Sequence, residues 1–173
     1  NFHLFPEDIR ATTASSAGGI LAGTYSYLST YEWKDRYSNV HRSATSYPCS
    51  VEVPAGTSAQ IELRVPNLRL TTKQSVNIVN YRTTPSISAS IYTRINSPQA
   101  PLVSSTASDS LLFTDFIRDN DLTGNALIYT TGGVLDNAGP PALAFIGRYK
   151  NRLMGLSAEN RNQWWFSKEV LEN

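Results

Sequence analysis

The sequence has little of what a reactive centre is ordinarily built from. Its 173 residues include two histidines, His3 and His41, and one cysteine, Cys49. A single cysteine excludes an internal disulfide and leaves the redox compartment open. Two histidines narrow both imidazole catalysis and metal ligation. Charged residues make up only 17% and the net charge is +1, so no field of one sign exists that would by itself hold nucleic acid or an anionic membrane. The longest apolar runs, such as 142–146, fall far short of the roughly 20 residues of a membrane helix, and no membrane anchor is expected. Helical periodicity is nearly absent, as is any repeat of fixed period, which sets aside solenoids and complete propellers for this stretch. Without a signal-peptide pattern, and starting at Asn1, the chain reads as a piece cut from something longer.

What the sequence has is alternation. Tyr25, Tyr27, Tyr31 and Trp33 fall on one face of a strand, and Thr24, Ser26, Thr30 and Glu32 on the other. A turn over 35–39 follows, and Tyr47, Cys49, Val51 and Val53 continue the alternation as the second arm of a hairpin. Cys49 then faces inward as a small buried hydrophobe rather than a reactive thiol. Ala59, Ile61, Leu63 and Val65 mark the next strand, ended by Pro66 and Asn67. Residues 76–81 are apolar on both faces, as a central strand is. Ile87, Ala89, Ile91 and Ile95 alternate again, 111–115 forms a short strand, and 117–124 has room for one helical turn capped by Asp115, Asp119 or Asp121. Tyr25, Tyr27, Trp33, Ile61, Leu63, Val79 and Ile91 are the expected core.

These readings divide the chain into an N-terminal arm over 1–20, with Phe2 and Phe5 free to dock elsewhere, and a β-sandwich over 21–124. A linker over 125–141 and a β-hairpin of a second module over 142–173 follow. The hairpin's strands are expected at 143–154 and 163–167. Arg148, Lys150 and Arg152 alternate within the first of these, so a regular strand projects all three from one face, toward phosphates, an acidic neighbouring subunit or solvent. Trp164, Trp165 and Phe166 place aromatics on both faces of the second, which calls for cover on both sides.

The search for chemistry yields little. His41 sits in the first hairpin's turn region as a solvated histidine. Gly155-Leu-Ser-Ala-Glu159 starts like a nucleophile elbow but lacks the closing glycine. Asp109, Asp115, Asp119 and Asp121 suggest calcium, yet the glutamate of a calcium loop would fall near Thr130, and turn roles fit better. No paired carboxylates cluster on adjacent aromatic strands. No catalytic residue, cofactor or metal set is expected. The candidate interaction residues are Phe2, Phe5, Arg148, Lys150, Arg152, Trp164 and Trp165.

Two resemblances bear on function. Tyr25-Ser-Tyr27 and Ser43-Ala-Thr-Ser46 resemble the end of a fibronectin type III domain, while Val79-Asn-Tyr-Arg-Thr83, Tyr92-Thr-Arg-Ile95 and Phe113-Thr-Asp115 resemble its middle strands. The order is rotated, which implies a permuted type III or immunoglobulin-like sandwich. The wider progression Gly23-Thr-Tyr-x-Tyr, Tyr31-Glu-Trp-x-Asp35, His41-Arg-Ser-Ala44, Tyr129-Thr-Thr-Gly-Gly-Val-Leu135, Tyr149-Lys-Asn-Arg-Leu153 and Trp165-Phe-Ser-Lys168 is similar to tailed-bacteriophage and prophage virion structural proteins. That resemblance implies a sandwich followed by the first hairpin of a propeller-like module, in a non-enzymatic tail, nozzle or neck component. It implies a virion location after assembly in the host bacterial cytoplasm. The implied partners are copies of itself in a ring, other virion proteins and proximity to DNA passing through the tail. The competing readings are a carbohydrate- or receptor-binding sandwich of an adhesin and a viral capsid jelly roll.

Overall fold

The computed structural model describes residues 5–14, 18–69, 71, 73, 75–85, 91–128, 142–150 and 152–167. The chain is all-β, and its strands are β1 (Arg10–Thr13), β2 (Ile20–Lys34), β3 (Val40–Arg42), β4 (Cys49–Ala59), β5 (Ile61–Pro66) and β6 (Asn77–Arg82). They continue with β7 (Thr93–Arg94), β8 (Leu102–Val103), β9 (Ser110–Asp115), β10 (Leu143–Tyr149), β11 (Arg152–Ser157) and β12 (Trp164–Phe166). All pairings between named strands are antiparallel.

Two sheets make the sandwich. The smaller runs β1-β5-β9; in the larger, β2 and β6 are central, with β3 and β4 on the β2 side and β7 and β8 on the β6 side. Side-chain period two decides which residues meet. In the small sheet Ile61, Leu63 and Val65 lie opposite Asp115, Phe113 and Leu111, and Ala11 lies opposite Leu63, so all share one face. That face packs with Tyr25, Tyr27 and Tyr31 of β2 and Ile78 of β6 in one apolar cluster. The opposite face of β2 and β6 carries Leu28, Val79 and Tyr81, buried with Ile128 and packed by Tyr92. Both central strands are thus covered on two sides, as the two-faced apolar pattern of 76–81 requires.

The ladder along β2 has a break that serine side chains repair. Between β3 and β4 the chain leaves regular pairing, yet the Ser43 amide donates to the Tyr31 carbonyl at 2.8 Å and the Ser46 amide to the Ser29 carbonyl at 2.9 Å. In return the Ser43 and Ser46 hydroxyls accept the Tyr31 and Ser29 amides, each at 2.9 Å. These β2 amides are buried, so an unmade bond would carry its full desolvation cost.

Several expectations need correction. Residues 5–14 and 18–20 are no free arm: β1 is an edge of the small sheet, and Ile9 and Ile20 are buried in the core; 1–4 and 15–17 lie outside the described residues. Ile91 is 61% exposed rather than internal, and Ile95 takes the buried place; Ile87 and Ala89 lie outside the described residues. The sandwich reaches Ile128, because the Ile128 amide bonds the Tyr92 carbonyl and the Arg94 amide bonds the Ala126 carbonyl. The rest of the expected linker, 129–141, lies outside the described residues. The helical turn is a 3-10 turn over Asp119–Leu122, but Arg118 occupies its N-cap and makes no side-chain capping bond. Asp115 and Asp119 are engaged with an arginine instead.

Candidate interaction surface and a buried ion network

The densest cluster of ionisable groups lies inside the sandwich. Arg82, wholly buried at the end of β6, donates from Nη1 to Asp115 Oδ2 at 2.6 Å and from Nη2 to Asp119 Oδ1 at 2.8 Å. Its Nη2 also reaches the Ile117 carbonyl at 3.0 Å. The Tyr27 hydroxyl donates to Asp115 Oδ2 at 2.9 Å and the Tyr25 hydroxyl to Asp119 Oδ2 at 3.1 Å. The guanidinium carbon sits 5.2 Å from the Tyr25 ring centre. One cation therefore faces two carboxylates, which is the condition under which a buried charge is tolerated.

Burial, with help from Asp119, pushes the Tyr25 hydroxyl up to about 12. Burial and then Asp115 push Tyr27 up as well. Burial also pushes the Asp115 carboxyl up, while Arg82, the Ile117 amide and the Tyr27 hydroxyl pull it back. The arrangement ties β2, β6, β9 and the 3-10 turn together across the two sheets. Two of the four aspartates weighed for calcium are consumed in it, and a third, Asp109, pairs with Arg69. Among the described residues no three His, Cys, Asp or Glu side chains converge to hold a metal ion.

His41 is more than a solvated turn residue. Its ring lies parallel to Trp33 with centroids 6.0 Å apart, and its Nε2 is 3.0 Å from Asp35 Oδ2. Asp35 in turn accepts the Tyr37 and Asn39 amides at 2.8 and 2.9 Å, which organises the β2–β3 turn. The His41 contact, followed by the Asn39 side chain, holds the Asp35 carboxyl well below the usual carboxylate range.

The third sheet, β10-β11-β12, differs in kind. Among the described residues its strands pair only with one another. Cross-strand neighbours share a face, so the registers Phe145–Leu156–Trp164 and Gly147–Met154–Phe166, with Tyr149 opposite Arg152, define one face. Ile146, Gly155 and Trp165 lie on the other. On the first, Phe145, Tyr149, Trp164 and Phe166 are 54 to 62% exposed; on the second, Ile146 is 57% and Trp165 40% exposed. Leu143 lies over Gly155, where a Cβ would meet Leu143 Cδ1 at 2.5 Å. Backbone hydrogen bonds hold this sheet, and among the described residues no layer of side chains covers either face.

Here too the expectation of two strands is corrected. The stretch 143–154 divides at a turn where Lys150 takes φ 52°, making three strands. Arg148, Lys150 and Arg152 consequently do not project from one strand face. Arg148 shares a face with Leu153, Lys150 sits in the turn, and Arg152 lies opposite Tyr149 on the other face. All three gather at one end of the sheet. Trp164 and Trp165 do point to opposite faces, as neighbours on a strand must. Phe5 packs edge-on against Tyr47 of its own chain at 6.1 Å, and Phe2 lies outside the described residues. Sequence reasoning passed over Arg82, although an arginine ending the mostly apolar strand Ile78-Val79-Asn80-Tyr81 was a signal for a buried ion pair.

Among the described residues no helix is long and apolar enough to cross a membrane. Comparison with protein-family models, with curated proteins and with solved structures finds no match to this chain.

Proposed function

We propose that the chain is a non-enzymatic structural component of a bacteriophage virion, of the tail, nozzle or neck, and that it acts through subunit assembly. The observation that carries the assembly half of this reading is the β10-β11-β12 sheet, which presents large apolar side chains on both faces. Soluble proteins seldom leave contiguous patches of this kind open unless something docks there, and aromatic anchors dominate the energy of such contacts. The phage half rests on the motif resemblance, from Gly23-Thr-Tyr through Trp165-Phe-Ser-Lys168. The Arg82 cluster fits the non-enzymatic reading, since its charges are spent on one another: Arg82 Nη1 and Nη2 pair with Asp115 and Asp119, and only its buried Nε lacks a partner among the described residues.

Replacing Trp164 and Trp165 by Ala should reduce incorporation into particles at least about tenfold, as loss of two anchors implies, with the sandwich's thermal transition unchanged. Normal incorporation and infectivity of the double variant would remove the assembly role from this sheet. A second reading, recognition of a glycan or receptor, draws on Tyr37, Tyr47 and Trp164, exposed at 69, 73 and 54%. Binding on a glycan array, lost on replacing those residues, would move that reading ahead.

A further inference from the structure

We infer that β9 is a docking edge, which pairs antiparallel with β9 of a second copy of this chain across a two-fold axis at Leu112. The contact lies on the sandwich. It is separate from β10-β11-β12 and does not rest on the virion reading.

The hydrogen-bond phase of the small sheet shows which groups β9 offers. The Asn67 amide donates to the Asp109 carbonyl at 2.9 Å, and the register that sets Pro66 against Ser110 places these two residues directly opposite each other. Bonded pairs alternate with unbonded ones along an antiparallel ladder, so Leu111, Phe113 and Asp115 are the residues that bond β5. The amides and carbonyls of Ser110, Leu112 and Thr114 therefore point away from it. β9 ends the sheet, and among the described residues no strand or backbone hydrogen bond reaches these groups. Such a row is a template for one more strand.

The other edges of the sandwich are blunted. β3, β7 and β8 are three, two and two residues long. β4 carries Pro54 and Gly56, and its pairing with β2 shifts register between Leu21 and Gly23. β1 lies against β4, where the Ala11 amide donates to Cys49 Sγ at 3.3 Å. By contrast β9 runs for six residues in unbroken register, with neither proline nor lysine. Its one charge, Asp115, is turned inward onto Arg82. Leu112 is 55% exposed, and Phe116 just beyond the strand is 62% exposed.

Self-complementarity identifies the occupant. Setting Leu112 against its own counterpart brings Ser110 opposite Thr114 and Leu111 opposite Phe113, so like faces of the two sheets coincide. The free groups of each strand then meet those of the other in about six main-chain hydrogen bonds. No two like charges are opposed. A two-fold axis perpendicular to the sheet lets identical edges meet in this way, and it closes after two copies. The two small sheets become one continuous sheet. A single strand pair with its flanking side chains buries less than the about 1,200–2,000 Å² of standard interfaces, so the dimer is a weak, reversible one.

The experiment is sedimentation of the full chain from micromolar to millimolar concentration, with Leu112→Lys, Leu112→Glu and Leu112→Pro. The side chain is exposed and its amide makes no bond to β5, so an unchanged thermal transition should show each variant folded. Wild type should dimerise as concentration rises. Opposed like charges at the axis should weaken dimerisation at least about tenfold in the Lys and Glu variants. An equimolar mixture of those two should recover a one-to-one complex, because each meets the opposite charge at the same position. The Pro variant, lacking the central amide, should stay monomeric. Wild type that remains monomeric, a mixture no tighter than either variant alone, or a dimer indifferent to Leu112 would overturn the contact. Association that survives at Leu112 but is lost with Trp164→Ala and Trp165→Ala would overturn it too, while leaving the third sheet's assembly role standing.

Discussion

At the scale of single residues, the inside of the sandwich is set by tyrosines that keep their protons. Tyr25 and Tyr31 are each pushed up to about 12, with burial the largest cause, against about 10 in an unfolded chain. Below pH 10 both states hold the proton and the groups contribute equally to each. Above it the unfolded chain releases protons that the folded chain retains, so stability is lost as pH rises toward 12. The slope is about 1.4 kcal/mol per pH unit for each tyrosine. Over two units the pair costs on the order of 5 kcal/mol, comparable to the whole stability of many domains at 5–15 kcal/mol. We expect the sandwich to unfold between pH 10 and 12, with the buried tyrosines' share of the tyrosinate absorbance and the loss of β circular dichroism appearing together. Full tyrosine ionisation near pH 10 with the dichroism intact would contradict the burial of these hydroxyls.

At the scale of elements, the serines that patch the β2 ladder yield a sharper test than any apolar position. Ser43→Ala leaves the buried Tyr31 amide without its acceptor, and Ser46→Ala does the same to Ser29. Each should cost about 1–3 kcal/mol, measured by denaturant unfolding. Ser50→Ala, at an exposed position of β4, should stay within about 0.5 kcal/mol. Equal effects at all three sites would mean that the hydroxyls do not complete the ladder. Elements of this kind differ in how far sequence exposes them. β2 and β5 were legible because tyrosines, isoleucine, leucine and valine mark every second position. β1 was hidden because Ala11, Thr12 and Thr13 are too small to mark a face. The break at Lys150 was hidden because neither glycine nor proline stands there and apolar residues continue on both sides. Trp164 and Trp165 announced an aromatic strand with two needy faces, but the network of Tyr25, Tyr27, Arg82, Asp115 and Asp119 joins residues up to 94 positions apart, which no local pattern records.

At the scale of the whole molecule, two parts differ in how they are stabilised. The sandwich has a buried core between its sheets, and β10-β11-β12 has backbone hydrogen bonds without a covering layer among the described residues, the condition under which small sheets are marginal in water. In a dilute monomer the amides of residues 143–166 should exchange well ahead of those in β2, β5 and β6, and at concentrations that favour association they should gain protection. Strong protection of 143–166 in a demonstrated monomer would mean that this chain covers its own third sheet.

The Arg82 network also has a consequence for how the chain is made. Its cation leaves the ribosome well before its counter-charges, since Asp115 and Asp119 follow 33 and 37 residues later. Until they arrive, the strand that carries Arg82 cannot settle into the core without stranding a charge. At a synthesis rate of about 5–20 residues per second, the nascent sandwich is expected to wait some seconds in an open state with its tyrosine face uncovered. Closure is thereby expected to await β9 and the 3-10 turn after it, which bring Asp115 and Asp119, rather than to follow the emergence of the apolar strands.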